Sequence, residues 1–132
     1  MILKVNFAIK KIMRPHRNLI AWQEAIKFVV EIYNLTKQLP GEEKFGLISQ
    51  MKRASVSIAA NIAEGAARTS DKDKLKFYTI AESSASEMDT LLEICKALKL
   101  ISVEEYEFAI ENLERISALI NGLRKSIENR LK

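Results

Sequence analysis

Gln50-Met-Lys-Arg-Ala-Ser-Val-Ser-Ile-Ala-Ala-Asn-Ile-Ala-Glu-Gly65 reads as one amphipathic helix. At helical spacing Met51, Ser55, Ile58 and Ile62 share a face, and Gln50, Arg53, Ser57, Asn61 and Glu64 run beside it at steps of three or four. A polar row of that length is too regular for a loop and too polar for an ordinary core. It marks a specified surface, and it contains no reaction centre.

Three more amphipathic segments surround it. The first runs from Asn18, a good N-cap, to Leu39, where Pro40-Gly41 stops it, with Trp22, Ala25, Ile26, Val29 and Tyr33 facing one way. The quoted helix starts between Glu42 and Leu47 and ends at Gly65, a residue type suited to the left-handed position past a helix end. The third follows Thr69-Ser70-Asp71, with Ser70 and Asp73 spaced as a capping box, and runs to about Leu100. Its seam is Leu75, Tyr78, Ala81, Ala85, Met88, Leu92 and Cys95. The fourth opens on a second capping box, Ser102-Val103-Glu104-Glu105, and continues to about Arg130. Tyr106, Ala109, Ile110, Leu113, Ile116, Ile120, Leu123 and Ile127 form its stripe. Glu104, Glu105, Glu107, Glu111 and Glu114 precede Arg124, Lys125, Arg130 and Lys132, an order that suits the helix macrodipole without a partner.

Short connections between long helices predict an all-α, antiparallel up-and-down four-helix bundle. A second apolar stripe, Phe77, Ile80, Leu91, Ile94 and Leu98 on the third helix with Phe108 and Leu119 on the fourth, exceeds what a monomer needs to bury. The surplus predicts a homo-oligomer.

Composition agrees. The 132 residues are 48% hydrophobic, with 4 glycines and 2 prolines, so breakers are too few for a strand-and-turn architecture. Cys95 is the single cysteine, which excludes an intramolecular disulfide framework. No apolar run approaches the roughly 20 residues that span a bilayer, and the first residues lack a cleavage site, so the expectation is a soluble cytoplasmic protein with no membrane partner.

The formal charge of +4 is concentrated at one end. Residues 1–17 hold five basic side chains, Lys4, Lys10, Lys11, Arg14 and Arg17, and no acids, leaving 16 basic and 17 acidic side chains in residues 18–132. Met13 directly precedes the first helical region and is an alternative start, so the chain divides into a basic leader, 1–13, and a bundle domain, 14–132. The pI near 9.2 therefore argues weakly for nucleic-acid binding, which wants a basic face rather than a basic end.

Four pieces of the chain carry a resemblance: Asn18-Leu-Ile-Ala-Trp22-Gln-Glu-Ala25; Pro40 with Glu43-x-Phe45-Gly46-Leu47; Gln50-x-x-Arg53-Ala54-x-x-Ser57-Ile58-x-x-Asn61-Ile-Ala-Glu64-Gly65; and Ser84-x-x-Glu87. Together they closely resemble the bacterial four-helix bundle proteins, also called 23S rRNA intervening-sequence proteins, over residues 14–130. The resemblance implies a bundle that assembles as a ring-shaped homopentamer with no established catalytic activity. The accessory variability proteins of diversity-generating retroelements are similar in fold and use a basic pentameric barrel to engage nucleic acid and a reverse transcriptase. Residues 18–132 are close to neutral, so that role does not carry over directly.

Enzymatic chemistry is the weakest class. A bundle-type di-iron site needs two Glu-x-x-His motifs, and the only histidine is His16, outside the bundle body. One His and one Cys also exclude the usual zinc sets, so neither metal nor cofactor is expected. Cys95 sits on an apolar seam and reads as a buried, inert thiol. Glu64 lies in the last turn of its helix, against the dipole, and calls for neutralisation by Arg53, Arg68 or a neighbouring subunit. Ser57 and Asn61 are expected to bridge to backbone or to Glu87. The polar row Gln50, Arg53, Ser57, Asn61 and Glu64, with Glu87, is accordingly read as structural or as part of a subunit interface.

Trp22, Tyr33, Tyr78 and Tyr106 occupy core-facing helical positions, which favours packing over base stacking. The candidate nucleic-acid contacts are Lys72, Lys74, Lys76, Arg124 and Lys125, which a ring would gather into a basic rim. The leading expectation is a non-catalytic, self-associating binding or scaffold module for an unidentified protein partner. RNA or DNA binding through the rim is the alternative.

Overall fold

In a computed structural model the structure describes residues 14–43 and 46–132. The 1–13 leader, Met13 and Phe45 of the family-like motif lie outside the described residues. Four helices carry the fold: α1 (Ile20–Thr36), α2 (Leu47–Ala67), α3 (Asp71–Ala97) and α4 (Val103–Leu131). Short 3-10 turns at Pro15–Asn18 and Gly41–Glu43 precede α1 and α2. There is no strand among the described residues, and no helix there is long and apolar enough to cross a membrane.

Cross-helix pairs fix the direction of each neighbour. Between α2 and α3, Met51 meets Cys95, Arg53 meets Glu87, and Ser57 meets Ser84. Between α3 and α4, Tyr106 bonds Glu93 and Arg130 bonds Asp71. Between α1 and α4, Glu31 accepts from Asn112, and Gln38, just past the end of α1, bonds Glu105. In every pair one number rises as the other falls, so the helices run up and down as an antiparallel bundle.

The core is continuous across all four helices. Phe28 and Ile32 of α1, Met51, Ile58 and Ile62 of α2, Met88 and Leu92 of α3, and Ile116 and Ile120 of α4 are fully buried. Each such side chain contributes about 1.5–3 kcal/mol relative to exposure. The expected seams of α3 and α4 lie in this core, with Leu75, Tyr106, Ile110 and Leu123 half-buried at its margin. Cys95 is buried there 3.6 Å from the Met51 sulfur, and burial, with the nearby Glu43 charge, pushes its thiol pKa up. An inert thiol is what that environment produces.

Several local expectations need correction. Asn18 is not the N-cap of α1. It ends a 3-10 turn that begins at Pro15, and Leu19 caps the helix without a side-chain bond. The buried face of α1 is Ala21, Ala25, Phe28, Ile32 and Leu35, whereas Ile26 and Tyr33 are exposed and Trp22 and Val29 only half-buried. The helix stops at Thr36, before Leu39, whose side chain still reaches the core. α2 continues past Gly65 to Ala67, and Gly65 does not take the left-handed conformation. On α3, Leu91 belongs to the core rather than to the outer stripe.

The serine N-caps of α3 and α4 form where expected. Ser102 and Glu105 form a full reciprocal capping box, whereas Ser70 accepts from the Asp73 N–H. The unpredicted device is at the end of α3. Lys99 adopts φ 59°, with Lys99 N donating to Lys96 O and Leu100 N to Cys95 O. That is a Schellman ending built on lysine, where glycine is the usual residue.

Candidate functional site

The polar row of α2 is the seam against α3, closed within one chain. Arg53 donates to Glu87 at 2.7 Å, and the Ser57 and Ser84 hydroxyls lie 2.8 Å apart. Asn61 Nδ2 donates back to Ser57 O at 2.8 Å and to its hydroxyl at 3.1 Å. Glu64 is held by Arg68, four residues on, at 2.7 Å, so the acid is neutralised locally. Gln50 is exposed at the row's start. Glu87 therefore serves Arg53 rather than Asn61 or Ser57.

Small residues allow the approach. Ala54, Ala81 and Ala85 are buried, and a Cβ on Gly65 would meet Tyr78 of α3. Hydroxyl and amide groups then satisfy one another where helix backbones run close, since an unpaired polar atom there would be costly. The chemistry of the seam is cohesion: Arg53, Ser57 and Asn61 are each bonded to a neighbouring residue.

The candidate phosphate contacts are not equivalent. Lys72, Lys76 and Lys125 are exposed. Lys74 is half-buried, and its ammonium donates to Gly65 O and Ala66 O at 3.3 and 3.0 Å, capping the C-terminal carbonyls of α2. Arg124 is half-buried beside α3, donating to Asn121 at 2.9 Å. Its charge acts on Glu82, whose carboxyl is nevertheless raised above the usual range by burial, partly offset by a Ser117 hydrogen bond. Arg68 lies 4.6 Å from the Phe77 ring centroid, adding a stacked guanidinium beside the lysines.

Antiparallel topology does something that net charge conceals. It brings the start of α1, the end of α2, the start of α3 and the end of α4 to one pole. Residues 14–19, 61–80 and 120–132 hold ten basic and four acidic side chains, a net +6. At the other pole, residues 31–43, 46–53 and 87–111 hold five basic and ten acidic side chains, a net −5. Contacts join each group across the chain: Arg130 to Asp71 at 3.0 Å at the basic pole, and Gln38 to Glu105 at 2.6 Å at the acidic one. The charge alternation from helix to helix was present in the sequence. Only the fold sums it.

The basic pole also holds Arg14 and His16, which line a small cleft with Ala63, Glu64 and Ala67. His16 packs edge-on to Trp22, and burial, with Arg17 and Arg14 close by, pushes its pKa down. Among the described residues no group of three His, Cys, Asp or Glu side chains is arranged to hold a metal ion.

Large apolar side chains are exposed as well. On α1, Ile26, Val30 and Tyr33 form a one-sided stripe, and Lys52 of α2 lies 4.7 Å over the Tyr33 ring. Val56, one turn beyond Lys52 on α2, is exposed as well. Ile80, Ile94 and Leu98 of α3 and Phe108 of α4 are exposed elsewhere. The α1 stripe was not legible as an outer face, because α1 is apolar on two sides.

Comparison with known proteins follows the same lines. No curated protein matches the chain. A crystal structure from Bacteroides thetaiotaomicron, described as a protein with unknown function from the S23 ribosomal protein family, is similar at 31% identity with a TM-score of 0.75. The similarity covers 80% of this chain and 99% of that one. The sequence pattern described as 23S rRNA-intervening sequence protein matches residues 17–122. With its four-helix bundle and the Asn61-Ile-Ala-Glu64-Gly65 block at the α2–α3 seam, the chain belongs to the 23S rRNA-intervening sequence protein family.

Proposed function

We propose that this protein is a non-catalytic binding or scaffold module that works as a homo-oligomer, a ring-shaped pentamer by family resemblance. The observation that carries the reading is the exposed apolar stripe Ile26, Val30 and Tyr33 on α1. Such a stripe on one side of a bundle is expected to be covered by another copy. The polar row supports a structural role, because Arg53 and Ser57 tie α2 to α3 and Asn61 and Glu64 are bonded within their own segment. Subunit contact then falls to the apolar faces rather than to that row.

Light scattering of the full chain tests this. Five copies of 15.0 kDa make about 75 kDa. Val30→Glu should lower that mass while leaving helicity intact, since Val30 faces solvent in the single chain. A native mass equal to one chain in the wild type would defeat the proposal.

A second reading is favoured by the basic pole. In a ring with its subunits side by side, the poles share one face, and a net +6 per chain becomes a broad positive surface. That surface suits the phosphate backbone of RNA or DNA. Titrating structured RNA and duplex DNA across salt checks it: affinity should fall steeply with salt and vary little with sequence. Salt-insensitive binding, or none at low salt, would remove this reading.

A further inference from the structure

The acidic pole contains a groove between α1 and α4 that the bundle leaves open. Two adjoining cavities of about 250 and 300 Å³ share Glu31 and Phe108. Toward the pole the walls are Glu31, Asn34, Leu35, Gln38, Glu105 and Phe108. Toward the middle, Glu24 is already neutralised, by Lys27 at 3.7 Å and Arg115 at 3.5 Å.

The polar half of the groove has no such compensation. Glu31 is half-buried and accepts from Asn112 at 2.8 Å, and among the described residues it has no basic partner within ion-pair distance. Burial raises its pKa, as expected for a carboxyl lacking a cation. Glu105 is a firm anion across the groove, held below the usual carboxylate range by its bonds to Ser102 and Gln38. Phe108 is 61% exposed and lines both cavities. The combination is two carboxylates, an accessible aromatic face and an apolar floor at Leu35.

We propose that this groove docks a lysine- or arginine-bearing segment of a protein partner, with the cation between Glu31 and Glu105 and its aliphatic stem against Phe108. Charge complementarity selects the occupant. The groove's pole-side wall carries two negative charges and no positive one, so an acidic or purely apolar segment would leave those charges unpaired in a partly desolvated site. A basic side chain supplies the counter-charge, and its methylenes cover the ring. The site lies at the opposite pole from the basic surface and does not depend on nucleic-acid binding there.

The test uses the full-length protein in its native assembly and a fluorescent, amidated hexapeptide of leucine and lysine, with the glutamate-for-lysine peptide as control. Anisotropy at low salt should show binding of the lysine peptide alone. Carbodiimide coupling followed by peptide mapping should place its amines on Glu31 and Glu105. The double variant E31Q/E105Q should weaken binding about tenfold or more. F108A removes an exposed ring, so it should fold normally and also bind more weakly. RNA or DNA affinity should be unchanged in both variants, which separates this site from the basic pole. Coupling spread over Glu42, Glu43, Glu104 and Glu107 with unchanged affinity in E31Q/E105Q would overturn the proposal. So would a wild-type assembly that neither binds nor couples, because another copy then covers the groove.

Discussion

A Cβ built on Gly65 would lie 2.5 Å from Cε1 of Tyr78, so α2 and α3 meet there as bare backbone against an aromatic ring. The ring is only 4% exposed. Gly65→Ala gains about 1 kcal/mol of helix propensity but overpacks the contact, at about 1–3 kcal/mol. Urea unfolding should show a net loss. In a Tyr78→Leu background the ring is gone, and the same substitution should become neutral or stabilising. Equal costs in both backgrounds would mean the close approach is not what Gly65 serves.

Lys99 offers the opposite opportunity. An L-residue in the left-handed conformation carries about 1–2 kcal/mol of strain that glycine avoids, against the larger entropy glycine loses on folding. Lys99→Gly should therefore raise stability by about 0.5–1 kcal/mol. Lys99→Ala keeps the Cβ and should change little. If alanine stabilises as much as glycine, relief of backbone strain is not the cause.

What could be read in advance, and what could not, divides along physical lines. α3 and α4 each carry a long seam and a serine cap, and both the seam from Tyr78 to Cys95 and the Ser102–Glu105 box are where periodicity puts them. α1 has apolar residues at nearly every turn on two sides. Spacing alone cannot tell Ala21, Ala25, Phe28 and Ile32 from Trp22, Ile26, Val29 and Tyr33, and only packing against α2 and α4 decides. The role of Gly65 escapes local spacing for a related reason, because the ring that demands it lies 13 residues away on another helix. The polar row could be seen, but not that Ser84 would answer Ser57. The charged poles are a product of topology, so no composition or running charge reveals them.

Glu31 sets an expectation for pH. Burial raises its pKa above the ordinary value of 4.5, and the Asn112 bond only partly offsets this. A carboxyl raised on folding favours the fold below its unfolded pKa, and that contribution is lost as pH rises through the folded value. Glu31→Gln keeps an acceptor for Asn112 and removes the charge. Its melting midpoint should exceed the wild type at pH 7, and the two should converge as pH falls below 4.5. Asp71 works in the other direction. Its bonds to Arg130 hold its pKa below the usual range, so its contribution is lost as pH falls through the folded value. A Glu31→Gln advantage that persists unchanged into acid would show that charge burial is not its origin.

The basic pole makes the most discriminating prediction for function. Lys72, Lys76 and Lys125 are exposed there, and none forms an ion pair within the described residues. They are free to meet phosphates, whereas Lys74 already caps α2 and Arg124 is tucked against α3. If duplex DNA is held at this pole, each lost contact should reduce the slope of log affinity against log salt by about 0.9. The triple variant K72A/K76A/K125A should thus flatten the slope by about 2–3 while its melting temperature stays put. Lys37, exposed at the acidic pole, is the matched control, and K37A should leave the slope unchanged. Equal effects from K37A and a single basic-pole variant would point to diffuse attraction by net charge, and the pole would lose its claim to be a site.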